Sequence, residues 1–403
     1  MATKDKTTAL LPKGVRLDVK RKEYVWQVKR VRDDGVEFRR TGYAKNVKDA
    51  VKAREQAILA YESGEVEQTQ VPTFGEWASY FKNSILPVEP SRSGQPYSPR
   101  TVQGYVAIID ATLIPLLGNV ILTKLTPEHV DAMLKSAGGE PQTRLNIRNL
   151  GSKLYEVAIR RKKIPHGYNP FKAVMIGKAK TKRDDDGHEI SHVRVLNMEE
   201  EAKMMQVASC QWCYGAILLA IKCGLRMGEV LGLEWANIDF DKGTLAVRQQ
   251  RQRITKATRD LMGIKSSGGL LKLDPKSDSG FRTIPLPRSV VTWLTEERER
   301  NQTSFVIPNI HGNNPREPRR LTKCFNDVVD VCKLKIVNEA GTPLAQPTFH
   351  DLRHTFCTRH ANDYKTPPHV LMKLAGHSRI ETTLGYYVHA EEGDLYAAQA
   401  NVA

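Results

Sequence analysis

Between residues 350 and 389 the chain carries His350-Asp351-Leu352-Arg353-His354, then Ala375-Gly376-His377-Ser378, then Thr382-Thr383-Leu384-Gly385-Tyr386-Tyr387-Val388-His389. Histidines and an arginine followed by a tyrosine suit one reaction. A phenolic oxygen attacks the phosphorus of a phosphodiester and holds one cut end as an ester, while cations neutralise the phosphorane oxygens and another group protonates the leaving oxygen. A further arginine lies upstream in Cys223-Gly224-Leu225-Arg226-Met227-Gly228-Glu229. Guanidinium suits phosphate because its planar fork donates two bonds to the oxygens.

Such side chains need rigid supports. Residues 211–223 are apolar on most helical faces and read as core, with Arg226 at the C-terminal edge beside Gly224 and Gly228. Glu229, three residues later, could act as a base or as a support for Arg226. Residues 244–250 and 270–273 read as strands, with Arg282-Thr283-Ile284-Pro285-Leu286 as their return partner. Asp274-Pro275-Lys276-Ser277-Asp278-Ser279-Gly280 between the latter two is turn-rich and puts Lys276 on a hairpin. His350 and His354 lie four apart, on one helix face, with Asp351 where a metalloprotease-like motif carries glutamate; Arg353 beside them would oppose a dication. Tyr386 and Tyr387 are adjacent, so local sequence leaves the nucleophile open between them. Cys210-Gln211-Trp212-Cys213 has no partner pair and reads as buried or incidental thiols in a reducing cytosol.

The 403 residues include 61 Lys and Arg against 45 Asp and Glu, a net charge of +16, so the surface should attract a polyanion such as DNA. At roughly 100–200 residues per domain, two or three units are expected. Residues 1–14 carry lysines but no apolar stretch, and the longest apolar run, 216–221, is far below the roughly 20 residues of a membrane span. A soluble chain with no signal peptide and no membrane partner is expected. Residues 15–43 alternate as three short strands with a turn at Asp33-Asp34-Gly35, and 47–63 read as a helix with Ala50, Val51, Ala57, Ile58 and Tyr61 on its apolar side. Residues 1–64 hold 16 Lys and Arg against 9 Asp and Glu, a net +7 on a very small unit. Residues 65–70 read as a linker. Thr73 with Glu76 makes a capping box, Ser98-Pro99 starts a helix that ends at Ile114-Pro115-Leu116-Leu117-Gly118, Leu125-Thr126-Pro127 opens another, and 143–161 form a last. Arg100, Arg144, Arg148, Lys153, Arg160 and Arg161 are candidates for phosphate contact. His129 and His166 show no partner. The charge run at 178–187 reads as a second linker, one that would let two DNA-binding halves close around a duplex.

The boxes GLRMGEVLGLEW, PKSDSGFRTIPL, HDLRHTF, LAGHS and TTLGYYVH, in that order, resemble the tyrosine recombinase family, in particular the integrases of phages and integrative elements. The resemblance covers roughly the last half of the chain strongly. It implies a multidomain α+β fold: a small three-stranded-sheet-plus-helix arm-type DNA-binding domain at 1–64, an all-α core-binding domain at 71–177, and a mainly α catalytic domain with a small antiparallel sheet at 190–403. It implies that Arg226 and Arg353 bind the scissile phosphate, Lys276 protonates the departing 5′ oxygen, His350 accepts a proton, His377 donates to a non-bridging oxygen, His354 packs or supports, and Glu229 supports Arg226. The spacing of Thr-Thr-Leu, tyrosine and His389 in many integrases selects Tyr387, whereas relatives with the tyrosine nine residues after the histidine would select Tyr386. It further implies site-specific recombination through a 3′-phosphotyrosyl intermediate with no cofactor and no metal. The implied partners are double-stranded DNA attachment sites, a homotetramer on DNA, and DNA-bending and directionality proteins, in the cytoplasm of a bacterial host. A type IB topoisomerase-like nicking enzyme, a catalytically idle DNA-binding regulator and a metal-dependent nuclease are the alternatives.

Overall fold

A computed structural model describes residues 11–19, 21–31, 37–62, 71–90, 94–164, 167, 169–177, 194–266, 268–275, 278–312, 314–334 and 344–387. The turn at 33–35, the linkers at 65–70 and 178–187, His166, Lys276 and His389 lie outside the described residues. The chain forms two compact units, Met1–Ala179 and Lys180–Ala403.

In the first unit the period-two alternation becomes β1 (Val15–Asp18), β2 (Glu23–Val31) and β3 (Glu37–Ala44), an antiparallel sheet in that order with Val15 opposite Trp26 and Trp26 opposite Gly42. Helix α1 (Val47–Glu62) lays Ala50 and Ala57 against the buried Val15, Trp26 and Val28. Thr73 then caps α2 (Phe74–Tyr80): its hydroxyl accepts from the Glu76 N–H and the Glu76 carboxylate accepts from the Thr73 N–H. Ser98 caps α3 (Pro99–Ile108). Both helices widen into π-turns, at Phe81–Ile85 and Ile109–Leu113, the latter leading into α4 (Ile114–Leu117). Pro115 accounts for the second π-turn. It brings no N–H to the helix and its ring would strike the carbonyl of Ala111, which lies in the widened turn. Thr126 caps α5 (Pro127–Ala137) with His129 as its reciprocal partner, a local role that the sequence reading left open. Helices α6 (Pro141–Arg160) and α7 (Pro170–Ala173) close this array over Phe74, Trp77 and Phe171, and the Trp77 indole donates to the Leu154 carbonyl at 2.9 Å. Of the basic candidates, Arg148 donates to Asn149 and the Val174 carbonyl, Arg160 pairs with Glu89, and the Lys153 ammonium stands 4.1 Å from the Tyr97 ring centre.

The second unit is mainly helical. Asn197 caps α8 (Met198–Ala208), and α9 (Tyr214–Cys223) is apolar all round and accordingly buried, residues 216–221 being at most 3 % exposed. After α10 (Met227–Leu231) come β4 (Ile238–Asp239), β5 (Thr244–Val247), β6 (Gln250–Arg253), α11 (Lys256–Leu261), β7 (Leu270–Leu273) and β8 (Arg282–Pro285). Helices α12 (Arg288–Arg300), α13 (Pro318–Cys332), α14 (Phe349–Asn362), α15 (Pro368–Ala375) and α16 (Ile380–Leu384) follow. The expected pairing of residues 270–273 with 282–286 is not what forms. Two antiparallel sheets occur, β4-β5-β8 with Val247 opposite Arg282, and β6-β7 with Arg251 opposite Lys272. Gln249 gives the reason: its buried amide donates to the Gly232 carbonyl and the Glu234 carboxylate, which draws the chain out of the first ladder before β6 begins. No described helix is long and apolar enough to cross a membrane.

Candidate active site

Two glycines set the walls of the site. Gly224 ends α9 at φ +63°, where an added Cβ would lie 2.5 Å from the Phe356 ring of α14. Gly376 ends α15 at φ +66°, where a Cβ would lie 2.9 Å from the Ser279 carbonyl oxygen. This left-handed conformation costs a residue with a side chain about 1–2 kcal/mol, so both helices stop here, and the carbonyls at their ends face the guanidinium groups of Arg353 and Arg226. Arg353, on the inward face of α14 and 2 % exposed, donates through Nη1 to the Gly224 carbonyl at 2.6 Å and through Nη2 to the Ala375 carbonyl. Arg226, the N-cap of α10, donates through Nη2 to the Gly376 carbonyl at 3.1 Å.

The acidic partner is Glu229, which holds Arg226 at both ends. Its Oε1 accepts from Arg226 Nη1 at 2.7 Å and its Oε2 from the Arg226 backbone N–H at 3.0 Å. Arg282 of β8 grips the same carboxylate from the other side, Nη1 to Oε1 at 3.2 Å and Nη2 to Oε2 at 2.9 Å. Burial alone would raise the Glu229 pKa; the hydrogen bonds and charges of Arg282 and then Arg226 overcome it and hold the carboxyl at about 2. Glu229 is therefore an anion that positions cations, not a base. Burial first, and then the neighbouring Arg226, push Arg353 down to about 10, so it stays charged at neutral pH. Three guanidinium groups and one carboxylate leave the pocket positive and suited to a phosphate.

The histidines line the same space. His377, 6 % exposed, shares a 2.9 Å hydrogen bond through Nδ1 with Thr383 Oγ1. Burial and then Arg353 and Arg226 lower its pKa to about 4. His350 and His354 stand edge to face on α14, 4.8 Å between ring centres, and burial followed by neighbouring positive charge lowers both pKa values. All three rings are thus neutral at pH 7. Asp351 is consumed elsewhere: it accepts from the Thr348 N–H and hydroxyl in a capping box at the start of α14 and from the Arg194 N–H. Among the described residues no group of three or more metal-ligating side chains comes together.

The tyrosines separate. Tyr386 stacks on His377, 6.1 Å between centres at 7°, and its hydroxyl shares a 2.7 Å hydrogen bond with His354 Nδ1; burial and the nearby Cys357 raise its pKa. The Tyr387 hydroxyl instead donates to the Thr366 carbonyl, and burial raises its pKa as well. Arg226, His350, Arg353 and His377 are therefore brought together with Tyr386 and His354, whereas the Tyr387 hydroxyl is engaged outside the pocket. Lys276 lies outside the described residues. Sequence reading missed Arg282 and Thr383. The first was signalled by alternation, since Arg282 shares a strand face with Ile284.

Residues 194–393 match the phage integrase family. The tyrosine recombinase XerC-like protein of Caldanaerobacter subterraneus is 29% identical over 209 residues, covering 49% of this chain and 51% of its own, and the transposase of transposon Tn916 from Enterococcus faecalis is 29% identical over 208 residues, 49% and 48%. The chain thus spans about half the length of these curated relatives. An integrase of Saccharopolyspora erythraea matches more of both chains, 24% identical with 89% and 88% covered. Among solved structures, the Tn1549 transposon integrase in complex with transposon right end DNA superposes with a TM-score of 0.64 at 21% identity, covering 82% of this chain and 99% of that one. A lambda integrase tetramer bound to a Holliday junction gives 0.58 at 19%, with 94% and 97% covered. The fold is that of these multidomain integrases, and residues 194–393, which hold the sequence boxes, belong to the phage integrase family of tyrosine recombinases.

Proposed function

We propose that this protein is a site-specific DNA recombinase that integrates and excises a mobile element through a 3′-phosphotyrosyl intermediate. The observation that carries the reading is the convergence of Arg226, Arg353 and His377 on one positive pocket beside a pair of tyrosines. Arg226 and Arg353 would bind non-bridging oxygens of the scissile phosphate, held in place beforehand by backbone carbonyls and Glu229 so that little reorganisation accompanies reaction. His377 would add a hydrogen bond. With Thr383 donating to Nδ1, its Nε2–H is left to point at an oxygen. The Tyr387 oxygen attacks phosphorus as neutral His350 takes its proton, and the 5′ oxygen leaves with a proton from Lys276. The freed 5′ hydroxyl of a partner strand then attacks the phosphotyrosine and gives its proton to the neutral Lys276, while the protonated His350 returns the proton to the departing Tyr387 oxygen. Bond energy is kept in the ester. For this sequence the Tyr387–Thr366 hydrogen bond must open and the hydroxyl turn into the pocket.

We assign residues 1–64 to arm-site binding, 71–177 to gripping the crossover core and 190–403 to chemistry, on DNA in a bacterial cytoplasm. The net +7 on residues 1–64 supports the first assignment, and the division of the chain after Ala179 supports the boundary before the last. A tetramer on paired DNA sites is part of the same proposal, because four strands must be cut and rejoined; the lambda integrase tetramer on a Holliday junction supports it. The test is covalent capture on a nicked suicide substrate in chelator, followed by peptide mapping. An adduct on Tyr387 formed at full rate in chelator is expected; cleavage that needs a divalent ion and leaves no adduct would point to the nuclease reading.

A further inference from the structure

We propose that Arg282 is a positioning residue for this pocket, orienting Arg226 through Glu229 and the His377 turn through the carbonyl of Leu374. The inference builds on the reading of the pocket as a phosphate site.

The Arg282 side chain is 5 % exposed and the Glu229 side chain 4 %, whereas that of Arg226 is 37 % exposed. A duplex can therefore meet Arg226 but not the pair behind it. Four of the five N–H groups of the Arg282 guanidinium donate to protein: two to the Glu229 carboxylate, Nε to the Leu374 carbonyl at 2.8 Å, and Nη1 to the Gly280 carbonyl at 3.2 Å. Leu374 is the penultimate residue of α15, three before His377. The group also packs against the turn itself, since a Cβ on Gly376 would come within 3.0 Å of Arg282 Nη1. One buried fork thus spans α10, which presents Arg226, and the end of α15, which presents His377.

Charge does not explain the pair. Arg282 and Glu229 cancel, and a buried ion pair contributes little net stability compared with apolar residues of the same volume. Its particular contribution is geometric: with both oxygens of Glu229 fixed by N–H donors on each side, Arg226 has one orientation. The charged and titratable groups around Glu229 are Arg226 on its own helix, Arg282 on β8 and Arg353 on α14, with Cys223 of α9 and His377 beyond Arg282. Without Arg282 the carboxyl loses the largest influence that holds its pKa down.

Full-length Arg282→Gln and Arg282→Lys proteins would be compared with the parent in covalent capture on a suicide DNA substrate from about pH 5.5 to 8.5, with DNA affinity and thermal melting measured alongside. Displacing Arg226 by a fraction of an ångström to an ångström should slow capture by Arg282→Gln about 100-fold, with DNA affinity nearly unchanged. A new loss toward acid pH should appear as Glu229 takes up a proton. Arg282→Lys keeps the charge but cannot span the carboxylate and the Leu374 carbonyl, so it should be slowed by a smaller factor, about tenfold, and keep the parental pH profile. If Arg282→Gln does not fold, the lysine variant decides alone. A folded lysine variant that cleaves at the parental rate overturns the proposal, as does a rate loss matched by an equal loss of DNA affinity. A parent that forms no adduct at all overturns the recombinase reading instead, so the two failures are distinguishable.

Discussion

Arg353 is 2 % exposed and anchored to two backbone carbonyls on different helices, whereas Tyr387 is partly exposed and its hydroxyl meets a carbonyl outside the pocket it is proposed to serve. The arginines of the described wall are anchored without substrate, and the proposed nucleophile is not yet aimed. That difference is physically sensible. Dipoles and charges stabilise a transition state to the extent that they need no reorganisation, while a nucleophile aimed at phosphorus only when DNA is present avoids unproductive chemistry. The tyrosine that does face the wall, Tyr386, is held by His354 and by stacking on His377.

The sharpest way to break this contrast is to remove one phenolic oxygen at a time. Tyr387→Phe keeps the ring and removes the attacking group, so covalent capture should fall to background while DNA affinity stays. Tyr386→Phe should keep cleavage at least in part, at a stability cost of about 0.5–1.5 kcal/mol for the lost hydrogen bond to His354. An adduct that persists in Tyr387→Phe and vanishes in Tyr386→Phe would reverse the assignment. The turn as it stands would then already be the reactive one, and the Thr366 contact would be an anchor.

The wall itself divides in the next experiment. Arg226→Ala and Arg353→Ala should each cost about 3–4 kcal/mol in the transition state, by analogy with loss of a preorganised oxyanion donor. Stability should separate them. Arg353→Ala strands the Gly224 and Ala375 carbonyls in the interior, at about 1–3 kcal/mol for each unsatisfied group, and should lower the melting temperature; the more exposed Arg226 should change it far less. Equal melting temperatures in the two variants would contradict the buried anchoring of Arg353.

The residues that meet in this pocket were legible because they sit in short boxes, GLRMGEVLGLEW with Arg226, HDLRHTF with Arg353 and LAGHS with His377, and in the first unit Thr73–Glu76 declares its capping box within four letters. What was not legible depends on distant pairing. The expected return of residues 282–286 onto 244–250 forms as β5–β8, but nothing local says that 270–273 leaves it for β6, or that Arg282 then meets Glu229, 53 residues away. The tyrosine register is hidden for the same reason: adjacent tyrosines differ in which distant partner, His354 or the Thr366 carbonyl, each can reach. His129 shows the converse, a helix cap with Thr126 that a histidine seldom signals.

The smallest effect expected is a dependence of stability on pH that originates in the pocket and not in the tyrosine turn. His377 has its pKa lowered from 6.5 to about 4 by burial and by Arg353 and Arg226, and His350, His354 and His360 are lowered in the same direction with burial as the first cause. In the unfolded chain these rings take up protons near pH 6.5; in the folded chain His377 does so only near 4. Between those values the unfolded state binds more protons, so stability is fully present above about pH 6.5 and falls as pH drops toward 4. Glu229 adds little above pH 4.5, because its carboxyl, held at about 2, loses its contribution as pH falls below the ordinary carboxylate value of 4.5. Melting of the full chain at pH 7.5, 6.5, 5.5 and 4.5 should therefore show a progressive decline, and His377→Gln, which cannot titrate but can still bond Thr383, should flatten part of it. A parental protein whose melting temperature is level across this range would mean that these histidines are not held neutral by burial and, at His377, by the arginines beside it.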